Sequence, residues 1–386
     1  MPLNCNKNVY LRSSRRWMKN LGHDLGWNYI SNASNQMSDL NDKKIKNRIL
    51  NFIKSSFLPP IEWFIPYRRL IEHKLVDDEI IIEPGSRLIR TKNKYICYCE
   101  NGLGIFSYNM RKVNIFNVWL AKKMIRNSNF IGFVFYSEAS RKAAYSLLGE
   151  FIKDKDLGVI YPYARKYKIL SEKKEKNGLS LGFCSNLFVL KSGREIVDSV
   201  INLIESDYDI YLDLVTRVDD IPHSYIEKIE RYKDRIRIIE FNLSGDEFNT
   251  VSNCWDVYLH CSYFDSCPLT IIEMQNIGID IIATSNFAIP ELLNGYSDRI
   301  IDEPKKVFNS MSMLPRKKIF LDEFIMNNSR PSAKYEKKLR SKIESEILYR
   351  YELNDINSDN MTPSYLDADY IKRQWNDLLE NIDVKR

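Results

Sequence analysis

The sequence contains no run of about 18 consecutive apolar residues, so no segment reads as a membrane-spanning helix. Its first residues lack the apolar stretch followed by small residues that marks a secretory leader, which predicts a chain that stays in the cytosol. Cysteines are few and unframed. The seven, at 5, 97, 99, 184, 254, 261 and 267, are odd in number, and only Cys97 and Cys99 stand close together. This scatter argues against a disulfide framework and, with no second pair or nearby histidine, against a zinc site. The histidines, His23, His73, His223 and His260, make no spaced pair, and each is expected to be structural. Internal repeats and low-complexity tracts are also missing.

What is present suits a water-soluble globular protein. The chain of 386 residues is 44% apolar and 28% charged, long enough for two domains of moderate size. The net charge of +6 is unevenly spread: residues 1–70 hold twelve Lys and Arg against Asp24, Asp39, Asp42 and Glu62, about +8. Such an end attracts anionic surfaces, or is simply a solvated lysine-rich face. Nucleic-acid binding through it lacks any recognisable module.

From Leu179 onward short apolar runs alternate with amphipathic segments of helical length. The predicted strands are LSLGFC (179–184), IYLDLV (210–215), RIRIIEF (235–241), DVYLHC (256–261), DIIAT (280–284) and DRIID (298–302). This alternation implies a doubly wound parallel sheet with ligands at the C-terminal strand ends. The first half has comparable runs, KYICYC (94–99), FIGFVFYS (130–137) and LGVIYP (157–162), so a second α/β lobe is expected. The charged segment 164–178 separates the two. A Lys/Glu-rich helical stretch follows later, and the chain closes on an amphipathic helix, 364–382, with Tyr365, Ile371, Trp375, Leu378 and Leu379 toward one side. Domains are therefore drawn at 1–165 and 166–363, with 364–386 crossing back to the first.

The stretch CSYFDSCPLTIIEMQNIGIDIIATSNFAIPELL places Asp265 and Glu273 around a predicted helix start. Pro268 suits the first helical position, and the amides of Leu269 and Thr270 would then be free to face an anion at the sheet edge. Read alone, Asp265 is also explained as a helix cap and Glu273 as a complement to the helix dipole. Further candidates end predicted strands: Glu100, able to orient or deprotonate a hydroxyl or else a loop acid in water, and Ser137 and Glu138. No Asp-x-Asp stands in a metal-ready setting, and Asp219-Asp220 reads as a solvated turn.

Taken together these residues resemble the donor-site signature of GT-B glycosyltransferases, most closely family 4. In that family an acid is followed eight positions later by Glu on a helix, then by a small-residue turn, a strand ending in Ala-Thr and a Pro-Glu pair. Here these are Asp265, Glu273, Gly278, Ala283-Thr284 and Pro290-Glu291. FCSNLFVLKSG (183–193) resembles the family stretch whose Arg and Lys bind the donor diphosphate, with Asn186 standing at the Arg position and Lys191 at the Lys. The likeness is close from Leu179 to Ile301. Departures are Asp265 for the usual Glu, Asn186 for Arg, and Ser192 for the Gly after Lys.

The resemblance implies the α/β GT-B fold, two Rossmann-like domains facing across a cleft. It also implies a retaining, metal-independent transferase that moves a sugar from a nucleotide donor, UDP- or GDP-linked, to a hydroxyl acceptor in bacterial surface polysaccharide or glycolipid synthesis. Glu273 would hold the ribose, Asp265 the sugar, and Lys191 the pyrophosphate with the amides around Pro268, Leu269 and Thr270. Thr216 and Asn242 would line the base pocket, or else do ordinary turn chemistry. No cofactor is required. Leu21-Gly22-His23-Asp24 fits the family's first helix end, but NKNVYL before it carries no glycine-rich loop. The alternative is a catalytically silent GT-B scaffold, motivated by the three departures. Residues 52–75 interleave Phe57, Trp63, Phe64 and Ile65 with Lys54, Arg68 and Arg69, which suits peripheral contact with the inner membrane face and a glycan or lipid-linked acceptor; buried aromatics explain them as well.

Overall fold

The computed structural model describes residues 9–11, 15–29, 56–64, 79–166, 178–294, 300–303, 306–316, 333–353 and 362–384. Lys54, Ile65, Arg68 and Arg69, and most of the 164–178 segment, lie outside them. The chain forms two units: Met1–Arg165 with Asn309–Pro315 and Tyr365–Arg386, and Lys166–Phe308 with Arg316–Ser364. Residues 309–315, drawn above within the second domain, thus belong to the first unit, where Lys142 Nζ donates to the Ser310 carbonyl at 3.1 Å.

The first unit's strands are β1 (Val9–Leu11), β2 (Asn28–Tyr29), β3 (Ile80–Glu83), β4 (Lys94–Cys99), β5 (Phe130–Phe135) and β6 (Asp156–Val159). They pair in parallel in the order β2-β1-β3-β4-β5-β6. β3, β4 and β5 are buried almost throughout, as strands covered on both faces must be, and read as continuous apolar runs. Helices α1 (Arg16–Asp24), α2 (Ile115–Ile125) and α3 (Glu138–Leu148) connect them. Asn114 and Ser137 cap the last two by accepting from the amides three residues on. The closing helix, Ala368–Val384, buries Ile371, Trp375 and Leu379 at four-residue spacing. Trp375 meets Trp27 at 5.3 Å and Tyr98 at 5.0 Å, both edge-on.

In the second unit lie β7 (Leu179–Cys184), β8 (Ile210–Thr216), β9 (Ile236–Glu240), β10 (Val257–His260), β11 (Asp280–Thr284) and β12 (Ile300–Ile301). All pair in parallel, in the order β12-β11-β10-β7-β8-β9. The chain winds outward from β7 through β8 to β9, then returns to lay β10 on the other flank of β7. That reversal creates a topological switch point between β7 and β10, where open α/β sheets bind ligands at their C-terminal ends. Gly182 of β7 is required there, because a Cβ would fall 2.0 Å from the Trp255 ring. The connecting helices are α4 (Gly193–Glu205), α5 (His223–Glu230), α6 (Gly245–Ser252), α7 (Leu269–Asn276) and α8 (Ile289–Leu292). A long helix, α9 (Ala333–Glu352), packs on α4.

Candidate functional site

Two loops meet at the switch point. The loop after β7 turns sharply into α4 at Ser192, whose φ of 62° lies in the left-handed region that favours glycine. A glycine at this position of the family motif therefore answers a backbone demand, and Ser192 meets the same demand at some steric cost. The loop after β10 runs from Cys261 to Pro268. It is stitched to its neighbour by Tyr263 N–H donating to the Leu190 carbonyl at 3.2 Å.

Lys191 and Asp265 come together across this junction. Lys191 Nζ lies 2.5 Å from Asp265 Oδ2 and donates to the Phe264 carbonyl at 2.7 Å. On the other side Asp265 Oδ2 is 3.1 Å from His260 Nε2, and His260 Nδ1 is 3.2 Å from the Tyr258 hydroxyl, which reaches Thr270 Oγ1 at 2.9 Å. Burial disfavours the charged form of Asp265, but the Lys191 ammonium and the His260 bond outweigh it and hold the carboxyl well below the usual range. For His260 burial wins over Asp265 and lowers the pKa. A neutral ring then donates Nε2–H to Asp265 and keeps Nδ1 unprotonated beside the Tyr258 hydroxyl.

The helix that follows opens at the same strand end. α7 starts at Leu269, with Pro268 as its N-cap and no side-chain cap bond, so Pro268 stands one place earlier than the first helical position expected for it. With Asp265 held by Lys191 and His260, its role as the helix cap is excluded. Glu273, one turn into α7, is 6% exposed. It and Asp265 both face the buried Tyr258 phenol, adding to the burial that pushes that group's pKa up. Lys191, Asp265, Glu273 and Thr270 are thus gathered at one strand end, with Leu269 beside them.

Other expected residues fall elsewhere. Asn186, half-buried in the loop after β7, stands outside the Lys191–Asp265–His260 chain. Thr216 ends β8 fully buried with Oγ1 unpaired, and Asn242 follows β9 exposed; both lie at the same sheet end, on the opposite flank of β7 from β10. Glu100 belongs to the first unit, where it follows β4. Its carboxylate pairs with Arg15 at 2.7 Å and is 18% exposed, so it is not a loop acid in water. Sequence reasoning names His260 only as a structural residue and does not single out Tyr258. Their signal was the two-residue spacing that points Tyr258, His260 and the strand end to one side of β10. Among the described residues, no group of three His, Cys, Asp or Glu is placed to hold a metal ion.

No protein-family model matches the sequence, and no curated protein matches it. Solved structures do. Sucrose-phosphate synthase from Thermosynechococcus elongatus is similar over 98% of this chain and 100% of its own, at 9% identity and a TM-score of 0.52. The pneumococcal O-GlcNAc transferase GtfA, solved with UDP and GlcNAc, is similar over 80% of this chain and 57% of its own, at 14% identity and a TM-score of 0.51. These likenesses establish the fold. The chain has the two-domain α/β architecture of GT-B glycosyltransferases.

Proposed function

We propose that the protein is a retaining glycosyltransferase that moves a sugar from a nucleotide donor, UDP- or GDP-linked, to a hydroxyl of a glycan or lipid-linked acceptor in bacterial surface polysaccharide synthesis. The observation that carries this reading is the convergence of Lys191, Asp265, Glu273 and the start of α7 at the β7/β10 switch point. A nucleoside diphosphate would lie on the α7 amides of Leu269 and Thr270 with Lys191 on its phosphates, and Glu273 would accept from the ribose hydroxyls. The bond from the anomeric carbon to the diphosphate breaks with its electrons moving to the phosphate oxygen, and fixed cationic and amide donors lower that barrier. The acceptor oxygen bonds to the same carbon and releases its proton. The departing phosphate oxygen, which has gained the electron pair, can take that proton. The chemistry asks for no metal, since protein groups supply the countercharge.

Lys191 has an anionic partner of its own in Asp265. Arrival of the diphosphate exchanges one anion for another, and Asp265 is released toward the sugar hydroxyls. UDP or GDP at about a hundred times its Kd should stabilise the second unit by about 2.7 kcal/mol, read as a rise in melting temperature. Glu273→Ala and Lys191→Met should each erase the rise. If neither nucleotide shifts the wild-type transition, the donor site is not there. Binding without hydrolysis or transfer would leave a silent GT-B protein.

A further inference from the structure

The outer face of α2 leaves apolar side chains in solvent. Ile115, Phe116 and Trp119 occupy its first two turns and stand 92%, 59% and 55% exposed, with Phe116 stacked on Trp119 at 6.1 Å. Phe57 and Leu58 join them from an adjoining loop, 69% and 44% exposed. Hydrogen bonds enforce that exposure. Asn114 and Asn117 donate side-chain N–H groups to the Phe57 carbonyl at 3.2 and 3.0 Å, and Lys112 Nζ donates to the Leu58 carbonyl at 2.6 Å. Since Asn117 and Lys112 are buried, the loop backbone is fastened to the helix start while its side chains turn outward. Single exposed apolar residues are ordinary, whereas five brought together from two segments mark a contact surface.

The helix and the segment leading into it carry charges of one sign, with Glu62 of the adjoining loop facing Lys112. From Asn101 to Ser137 the sequence holds no Asp or Glu, while Arg111, Lys112, Lys122, Lys123 and Arg126 all fall within it. Lys122 and Lys123 lie in the last turn of α2 and Arg126 follows directly, so the helix is apolar at its start and cationic at its end. Lys123 Nζ is 5.7 Å from the centre of the Trp119 ring. Phe64 and Lys123 also border a cavity of about 390 Å³ that Arg90 and Asn127 help to line.

We propose that this face seats the protein on an anionic lipid bilayer, with Phe57, Phe116 and Trp119 entering the headgroup layer and Arg90, Lys122, Lys123 and Arg126 meeting lipid phosphates. Apolar insertion and attraction of the basic side chains to anionic lipid act together at such a surface, and the absence of Asp and Glu from α2 itself keeps repulsion low there. The contact is placed on α2 and the 56–58 loop, not on the basic segment around Lys54, Arg68 and Arg69. It stands whether or not the donor-site reading holds.

Full-length protein should co-sediment with vesicles of phosphatidylglycerol and phosphatidylcholine at low salt, and only weakly with phosphatidylcholine alone. Phe116→Ser with Trp119→Ser, and separately Lys122→Glu with Lys123→Glu, should each lower partitioning roughly tenfold or more. Their melting temperatures should stay within about 2 °C of wild type, because surface changes of this kind scarcely touch stability. Brominated lipid should quench the wild type more than Trp119→Phe, a readout that does not depend on the disruptive variants folding. Failure of the wild type to bind anionic vesicles overturns the proposal, as does equal binding by both double variants. A concentration-dependent dimer that Trp119→Ser abolishes would assign the face to a second copy and overturn it equally. Nucleotide-induced stabilisation should be the same in every arm, which keeps this outcome separate from that of the donor site.

Discussion

Glu195 shows how one buried side chain can set a pH dependence. It is the third residue of α4, 3% exposed, with Oε2 lacking a hydrogen-bond partner, and Tyr263 beside it comes from the loop that carries Asp265. Burial pushes its pKa up to about 7, with Glu336 adding to the rise and Arg194 and Tyr263 opposing it. The folded chain therefore holds one more proton than the unfolded chain between about pH 4.5 and 7, and this contribution to stability is full below that window and lost as pH rises through it. Glu195→Gln removes the dependence. The variant should match wild type near pH 4.5 and exceed it at pH 8 by ~3 kcal/mol, measured as the difference in urea unfolding free energy across the range. Glu303 is also pushed up to about 7 by burial, but it titrates in both proteins and cancels. A difference that does not vary with pH would mean Glu195 ionises normally. Sequence gave no hint of this, because a Glu in a first helical turn reads as a dipole complement until a second helix is known to cover it.

At the scale of elements, the second unit's sheet could be read almost strand for strand, and β7 and β11 have the predicted ends. Strands buried on both faces leave long apolar runs between charged helices, a pattern that depends on local sequence alone. The first unit hid more. β3 is a four-residue run too short to stand out, and α2 carries its apolar residues on the solvent side, which erases the helical period. α9 was legible as a helix but its anchorage was not. Leu339, Ile343 and Ile347 are fully buried at four-residue spacing, and Arg350 Nε donates to Asp280 Oδ2 of β11 at 3.1 Å, with 2% and 8% of the two side chains exposed. Arg350→Ala would strand a buried carboxylate. It should cost about 3–5 kcal/mol in denaturant unfolding of the second unit, and Arg350→Met combined with Asp280→Leu should recover most of that loss. No loss in Arg350→Ala would show that α9 is held by its apolar stripe alone.

For the whole molecule, the order of the chain and the order of folding units differ. The first unit is completed only by Tyr365–Arg386, after the second unit has been finished by Arg316–Ser364. Trp375 is the reason this matters energetically: it is fully buried between Trp27 and Tyr98, so the first sheet's aromatic layer is left open until the last helix is in place. The amphipathic spacing of that helix could be read from sequence, but its partners could not, since Trp27 and Tyr98 stand several hundred residues upstream as ordinary apolar positions. Trp375→Ala should cost about 3–5 kcal/mol, and deletion of 364–386 more, with the whole effect confined to the first unit's transition in calorimetry. The second unit's transition should keep its midpoint and its nucleotide-induced rise. If Trp375→Ala instead lowers the transition that nucleotide raises, then the closing helix stabilises the donor-binding unit and the division of the chain drawn here is wrong.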